Sequence, residues 1–319
     1  MSNFWQKLKK PIFVIAPMAN VTDVAFRSMF AKYGKPDVMW TEFVSADGLC
    51  SPGRKVLLRD LEFSKKEKPI VAQLFTGHPD KMFEAAQIIE KLGFDGIDIN
   101  MGCPDRAVEK QGSGAGHIKD PKNALEVIRA AKRGAPNIPV SVKTRIGYNK
   151  VEIDTWIPII LKEGVAALTV HLRTRKEMSD VPAHWDLMPR IVALRNEISP
   201  ETVLIGNGDV LSMEDAREKI RASGCDGAMI GRGIFGNPWF FSGKLVNDIS
   251  PRERLEVMVE HARAFEKLLG DVKNFAIMKK HFKAYVSGWD GAKELRVKLM
   301  ESNGLEDVEK IVGEYLKTF

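Results

Sequence analysis

The chain has 319 residues, of which 44% are hydrophobic and 28% charged, with a formal net charge of +6. That composition excludes a disordered or low-complexity chain, and it suits a large α/β domain plus a smaller one with a basic bias fit for a polyanionic partner. Three well-separated cysteines, Cys50, Cys103 and Cys225, argue against a disulfide framework or a metal site and for a reducing, cytoplasmic setting.

Behind the basic start MSNFWQKLKK comes the apolar run 12–18, too short for a secretory segment and interrupted by Pro17. No other stretch reaches the length of a membrane span. The run is the first of eight: IFVIAPM (12–18), VMWTEFV (38–44), IVAQLF (70–75), GIDIN (96–100), VSVKTRI (140–146), ALTVHLR (167–173), TVLIGNG (202–208) and GAMIGRG (227–233). Their continuous hydrophobicity is that of strands covered on both faces in a parallel sheet. Helix-period segments lie between them, at 79–92, 124–133 and 212–222 among others, with Gly93, Gly134, Gly164 and Gly224 where a residue just past a helix belongs. A doubly wound sheet rarely needs so many regular units, so the pattern predicts a (β/α)8 TIM barrel over residues 1–245.

After Trp239 the strand signals stop, and residues 246–319 read as a small all-helical domain. In FAIMKKHFKAYV, Phe275, Met278, Phe282 and Tyr285 form one helical stripe, with Lys279, Lys280 and Lys283 off it. Residues 273–298 hold seven Lys/Arg against two Asp/Glu, which marks a basic face.

Barrel chemistry sits at the C-terminal ends of the strands. Those ends carry Pro17-Met18-Ala19, Glu42, Gln73, Asn100 with Cys103, Lys143 with Arg145, His171 with Arg173, Asn207-Gly208-Asp209 and Gly231-Arg232. The glycine-rich turns after the last two strands, each opening a helix, have the form of a shared barrel phosphate site, with Arg232 adding a charge-assisted bond. Gln73 and Lys143 are placed to meet a flat heteroaromatic ring, so one phosphorylated flavin accounts for more of these positions than a sugar phosphate does.

Cys103 stands just past the fourth strand. The interval from that strand to the fifth, 96 to 140, is 44 residues against 25 to 35 elsewhere, so an extra segment is inserted there. A lid bearing a proton donor is the physical reading; a nucleophilic cysteine would require an activating base. Cys50 and Cys225 read as inert packing.

APMANVTDVAFR, VAQLF, DINMGCP, VSVKTRIG, TVHLRTR, IGNGD and MIGRG, followed by the tail KKHFKAYVSGWDGAKELR, resemble the tRNA-dihydrouridine synthase family in order and spacing over nearly the whole chain. The resemblance implies an FMN barrel, with NADPH as reductant, that reduces the C5–C6 double bond of uridine in tRNA. It implies that Pro17, Met18, Ala19, Gln73, Lys143, His171, Asn207, Gly208, Asp209, Gly231 and Arg232 contact FMN. Asn100 would then lie by substrate and flavin, and Cys103 would protonate C5. A phosphate-holding track of Lys279, Lys280 and Lys283, continued by Arg173 and Arg175, would hold the tRNA. No metal, membrane or obligate protein partner is implied. The chain departs from the family pattern at Ala107, with Arg106 one place early, at His117, and in KEMSDVPAHW, which lacks a tyrosine often found there. The rival readings are an FMN barrel acting on a free pyrimidine or enone, and an RNA-binding protein without catalysis.

Overall fold

Residues 3–317 are described by the computed structural model; Met1, Ser2, Thr318 and Phe319, at the outer ends of the two expected domains, lie outside them. The apolar runs form eight strands: β1 (Ile12–Ile15), β2 (Met39–Ser45), β3 (Ile70–Phe75), β4 (Gly96–Met101), β5 (Val140–Arg145), β6 (Ala167–His171), β7 (Val203–Asn207) and β8 (Gly227–Ile230). They pair in parallel in the order β1-β8-β7-β6-β5-β4-β3-β2, and a parallel bridge from Val14 to Val38 joins the two edges. The architecture is the TIM barrel that the sequence predicts.

Between the strands run α1 (Val24–Tyr33), α2 (Ala46–Leu49), α3 (Arg54–Asp60), α4 (Pro79–Leu92), α5 (Arg106–Glu109), α6 (Pro121–Gly134), α7 (Ile153–Lys162), α8 (Met188–Ile198) and α9 (Met213–Ser223). The tail forms α10 (Pro251–Leu269), α11 (Met278–Tyr285), α12 (Ala292–Glu301) and α13 (Leu305–Leu316). Gly93 and Gly224 follow helices with φ of 80° and 75°, as expected. Gly134 differs, being the last residue of α6. A Cβ there would come within 2.4 Å of the Phe83 carbonyl oxygen, so this glycine permits close packing of α6 on α4 instead of a left-handed turn.

Side chains alternate along each strand. Ile97 and Ile99 of β4 join the layer beneath the helices, whereas Asp98 points inward to Gln73 and Ser141. The inside of the barrel is apolar at one end, where Trp5, Ile12, Val14, Val38, Trp40, Val71, Val203 and Met229 pack together. Trp5, just before β1, is 1% exposed and its ring lies 5.6 Å from that of Trp40, closing the N-terminal mouth. Toward the other mouth the inward positions turn polar, so their groups need partners or a ligand.

The second core gathers Leu255, Met258, Phe265, Leu295 and Leu299 with the stripe of Phe275, in the 3-10 turn before α11, and Met278, Phe282 and Tyr285 of α11, all buried. It also takes in Val24, Ala25 and Met29 of α1, while Phe26 and Phe30 of the same helix belong to the barrel core. Ion pairs brace the junction. Lys273 reaches Glu42 at 2.6 Å and Asp60 at 2.8 Å, and Arg59 reaches Asp271 at 3.0 Å. Lys273, counted in the basic stretch of the tail, therefore serves the interior.

Candidate active site

A cavity of about 320 Å³ opens at the polar mouth. Pro17, Met18, Lys143, His171, Asn207, Gly208, Asp209, Gly231 and Arg232 line it, with Arg173. Gln73 lies fully buried in the barrel interior, and Ala19 is exposed on the turn after β1. Asn100 stands in register with Lys143 on the neighbouring strand, and Cys103 follows it by three residues.

Gly208 has φ of 127°, and a Cβ there would meet Ala183 at 2.7 Å, so the turn after β7 depends on glycine. That turn runs through Val210 and Leu211 to α9, whose first turn is capped by Ser212. The turn after β8 opens only a 3-10 turn, Arg232–Ile234, where the sequence suggested a helix.

Positive charge converges on the cavity. Burial, with Arg145 beside it, lowers the Lys143 ammonium to about 8, against the pull of Asp98 and Cys103. His171 is pushed well below its ordinary value by burial and by Arg145, Lys143, Arg173 and Arg232, so it is neutral. The carboxylate lining the cavity, Asp209, accepts from Arg173 and from the Ala183 N–H at 2.9 Å through Oδ2, and from Arg232 at 3.0 Å through Oδ1. Burial alone would raise its pKa, but these bonds outweigh burial and hold it below the ordinary carboxylate range. Cations thus outnumber the one carboxylate, and an anion complements the site.

Cys103 is partly exposed, and burial raises its thiol above the usual range. Among the described residues no histidine or carboxylate bonds its sulfur, so the thiol is neutral and has no activating base. Burial, then Glu84, raises Cys50 to about 11, while the Cys225 thiol donates to the Gly227 carbonyl inside the core.

The loop bearing Cys103 is anchored from β5 and β6. Arg145, buried, donates to the Gly102 carbonyl at 2.8 Å and to the Thr174 and Met178 carbonyls at 3.0 Å. Arg175 holds Glu109 through two nitrogens, at 2.8 and 2.6 Å, and the Pro104 carbonyl at 3.3 Å. Its partners thus lie in the segment inserted between β4 and β5, and Arg173 is 2% exposed in the cavity wall. Arg106 and Ala107 face solvent. His117 is fully buried, donates from Nε2 to the Thr76 carbonyl at 3.1 Å, and is lowered by burial to about 4. A neutral buried ring fills its place much as an apolar side chain would. On α11, Lys283 is exposed, and Lys279 and Lys280 are half-buried.

Two residues of the site escaped the sequence reading, Asp98 and Ser141. Their signal was present, since each shares strand parity with a mouth residue, Asn100 and Lys143, and interrupts an apolar run.

The family model described as dihydrouridine synthase matches residues 14–318. The chain belongs to the dihydrouridine synthase family. Membership makes it a flavin-dependent oxidoreductase. A "probable tRNA-dihydrouridine synthase" of Staphylococcus aureus (strain COL) is 41% identical over 316 residues, covering 98% of this chain and 95% of the relative. A "probable tRNA-dihydrouridine synthase 2" of Bacillus subtilis (strain 168) is 40% identical over 320 residues, covering 99% and 98%. The solved structure of morphinone reductase superposes with a TM-score of 0.54 at 12% identity, over 75% of this chain and 86% of that one, a likeness of fold. No helix among the described residues is long and apolar enough to cross a membrane.

The residues present fit the flavin that family membership implies. The cavity is of ligand size, its cationic side chains outnumber its one carboxylate, and that carboxylate is already paired.

Proposed function

We propose that this dihydrouridine synthase reduces the C5–C6 double bond of uridine in tRNA to 5,6-dihydrouridine, with FMN as cofactor, NADPH as reductant and Cys103 as proton donor. The observation that carries the reading is a neutral, base-free thiol two residues past β4, within the field of Lys143, which lines a cavity where cations outnumber the one carboxylate. A relative's printed name supplies the substrate class.

In this reading Asn207, Gly208, Gly231 and Arg232 hold the phosphate end of FMN, with Asp209 and Arg173 fixing Arg232 and His171 in place. Pro17, Met18 and Ala19 border it from the β1 turn, and Lys143 complements negative charge at the pyrimidine edge, above Gln73. When bound, FMN would supply the hydride chemistry at C6. The Cys103 thiol gives its proton to C5, and solvent restores that proton. Asn100 orients the base. A uridine stacked in folded RNA has to be exposed first. Residues 1–245 then carry the chemistry, and 246–319 hold the RNA backbone through Lys279, Lys280 and Lys283. Arg175 acts on the RNA indirectly, by seating the lid over the exposed base. The free thiols suit a cytoplasmic enzyme.

The test is direct. Purified protein should be yellow, release FMN on denaturation, and form dihydrouridine in unmodified tRNA when given NADPH. Colourless protein that FMN cannot reconstitute would end the reading.

A further inference from the structure

Asp98 is fully buried inside the barrel, two residues before Asn100 on β4. A carboxylate there is costly unless its oxygens are bonded, and they are. Oδ2 accepts from Gln73 Nε2 at 2.6 Å, and Oδ1 accepts from Ser141 Oγ at 2.6 Å. With its donor side committed, Gln73 turns Oε1 toward Asn100, whose Nδ2 donates to it at 3.1 Å. Asn100 in turn directs Oδ1 to the strand end, where it accepts the N–H of Gly102 at 3.2 Å and of Cys103 at 2.9 Å. Each side-chain amide has one donating and one accepting end, so an acceptor at the first position fixes the direction of every bond after it.

We propose that Asp98 is a positioning residue for the proton-donating step, setting the backbone at Cys103 through Gln73 and Asn100. This rests on the reading of Cys103 as the donor.

The groups facing Asp98 are Gln73 on β3, Ser141 and the Lys143 ammonium on β5, and Trp40 on β2. Burial raises its carboxyl to about 6, while Ser141, Gln73 and Lys143 pull it down. It is therefore ionised at neutral pH and protonates below about 6. The protonated acid presents an O–H in place of one acceptor, so a bond that anchors Gln73 or Ser141 to it is lost and the chain to Cys103 is held less firmly.

The experiment uses the FMN-loaded enzyme and separates its two half-reactions. In Asp98→Asn, flavin reduction by NADPH should stay within about twofold, while reoxidation by unmodified tRNA falls about 10- to 100-fold, as for a small misplacement of a reacting group. The wild-type reoxidation rate should drop below about pH 6, and that acid limb should vanish in the variant. In FMN-free protein, the rate of iodoacetamide alkylation of Cys103, read by mass spectrometry, should change severalfold. Equal losses in both half-reactions mark a merely structural role and overturn the proposal, as does an unchanged reoxidation rate. If Asp98→Asn does not fold, Ser141→Ala removes one donor to the carboxylate and should move the acid limb to higher pH; an unmoved limb overturns the proposal equally. Cys103→Ala is measured alongside. Full reoxidation in Cys103→Ala sinks the donor reading, whereas a defect there with an unaffected Asp98→Asn sinks only the positioning role.

Discussion

Arg173 Nη1 lies 3.2 Å from His171 Nε2. A guanidinium only donates, so Nε2 is the acceptor and the neutral ring carries its proton on Nδ1. The same guanidinium donates to the Val181 carbonyl at 2.6 Å and pairs with Asp209. Arg173→Lys cannot keep all three contacts. It should weaken FMN binding about tenfold or more, measured by quenching of FMN fluorescence, because His171 and Asp209 both lose their hold. Unchanged affinity would count against the cavity as the flavin site.

Lys143 gives the site a second pH signature. Its ammonium, lowered to about 8 by burial and Arg145, loses its proton above that value in the free protein. Anion binding favours the protonated form, so FMN affinity should fall as pH rises past about 8. In Lys143→Met the affinity should be lower throughout, and this slope should disappear. A slope that persists would assign the effect to another group.

Cys103→Ala should leave FMN content and flavin reduction intact while uridine reduction falls about 10²- to 10⁴-fold. Cys50→Ala and Cys225→Ala should affect thermal stability alone, since both thiols are bonded to backbone carbonyls away from the mouth. Equal losses in all three variants would remove the special role of Cys103.

Replacing Lys279, Lys280 and Lys283 with glutamine should weaken tRNA binding and reduce the salt slope by about 0.7 to 0.9 for each lost phosphate contact. Lys283, the exposed one of the three, should contribute most of that change, and FMN content should not move. Unaltered affinity and slope would place the RNA on another face.

His261 and His281 sit wholly buried between α10 and α11, rings 4.9 Å apart, against Phe26 of the barrel. Burial lowers His261 to about 3 and also lowers His281, which the neighbouring His261 and Lys280 push further. Their folded values lie below the unfolded one, so the stability they allow is full above about pH 6.5 and is lost as pH falls below it, for His261 down toward about 3. The His261 ring should cost up to about 1.4 kcal/mol per pH unit across that window. His261→Phe should flatten the acid arm of a melting-temperature profile; an unchanged profile would place the acid sensitivity elsewhere.

Much of this was legible in the sequence because burial of both sheet faces leaves long apolar runs, and all eight strands lie in them, β2 and β4 running one residue past the C-terminal end. The mouth residues were legible because polar groups end those runs. What stayed hidden depends on partners distant in sequence. Asp98 reads as a flaw in a strand until Gln73 and Ser141 appear beside it, 25 and 43 residues away. Arg173 and Arg175 read as free charge, although Asp209 and Glu109 hold them. Lys273 looked like part of a cationic face and instead joins Glu42 and Asp60 inside the junction.

Helix α1 presents Phe26 and Phe30 to the barrel and Val24, Ala25 and Met29 to the tail. A single helix that is wall to two cores ties their histories together. The tail is not a part that recombination could exchange for another helical element, since any replacement must match a surface already committed to the barrel. Divergence in the tail would have to come from its outer side chains, leaving its seat unchanged.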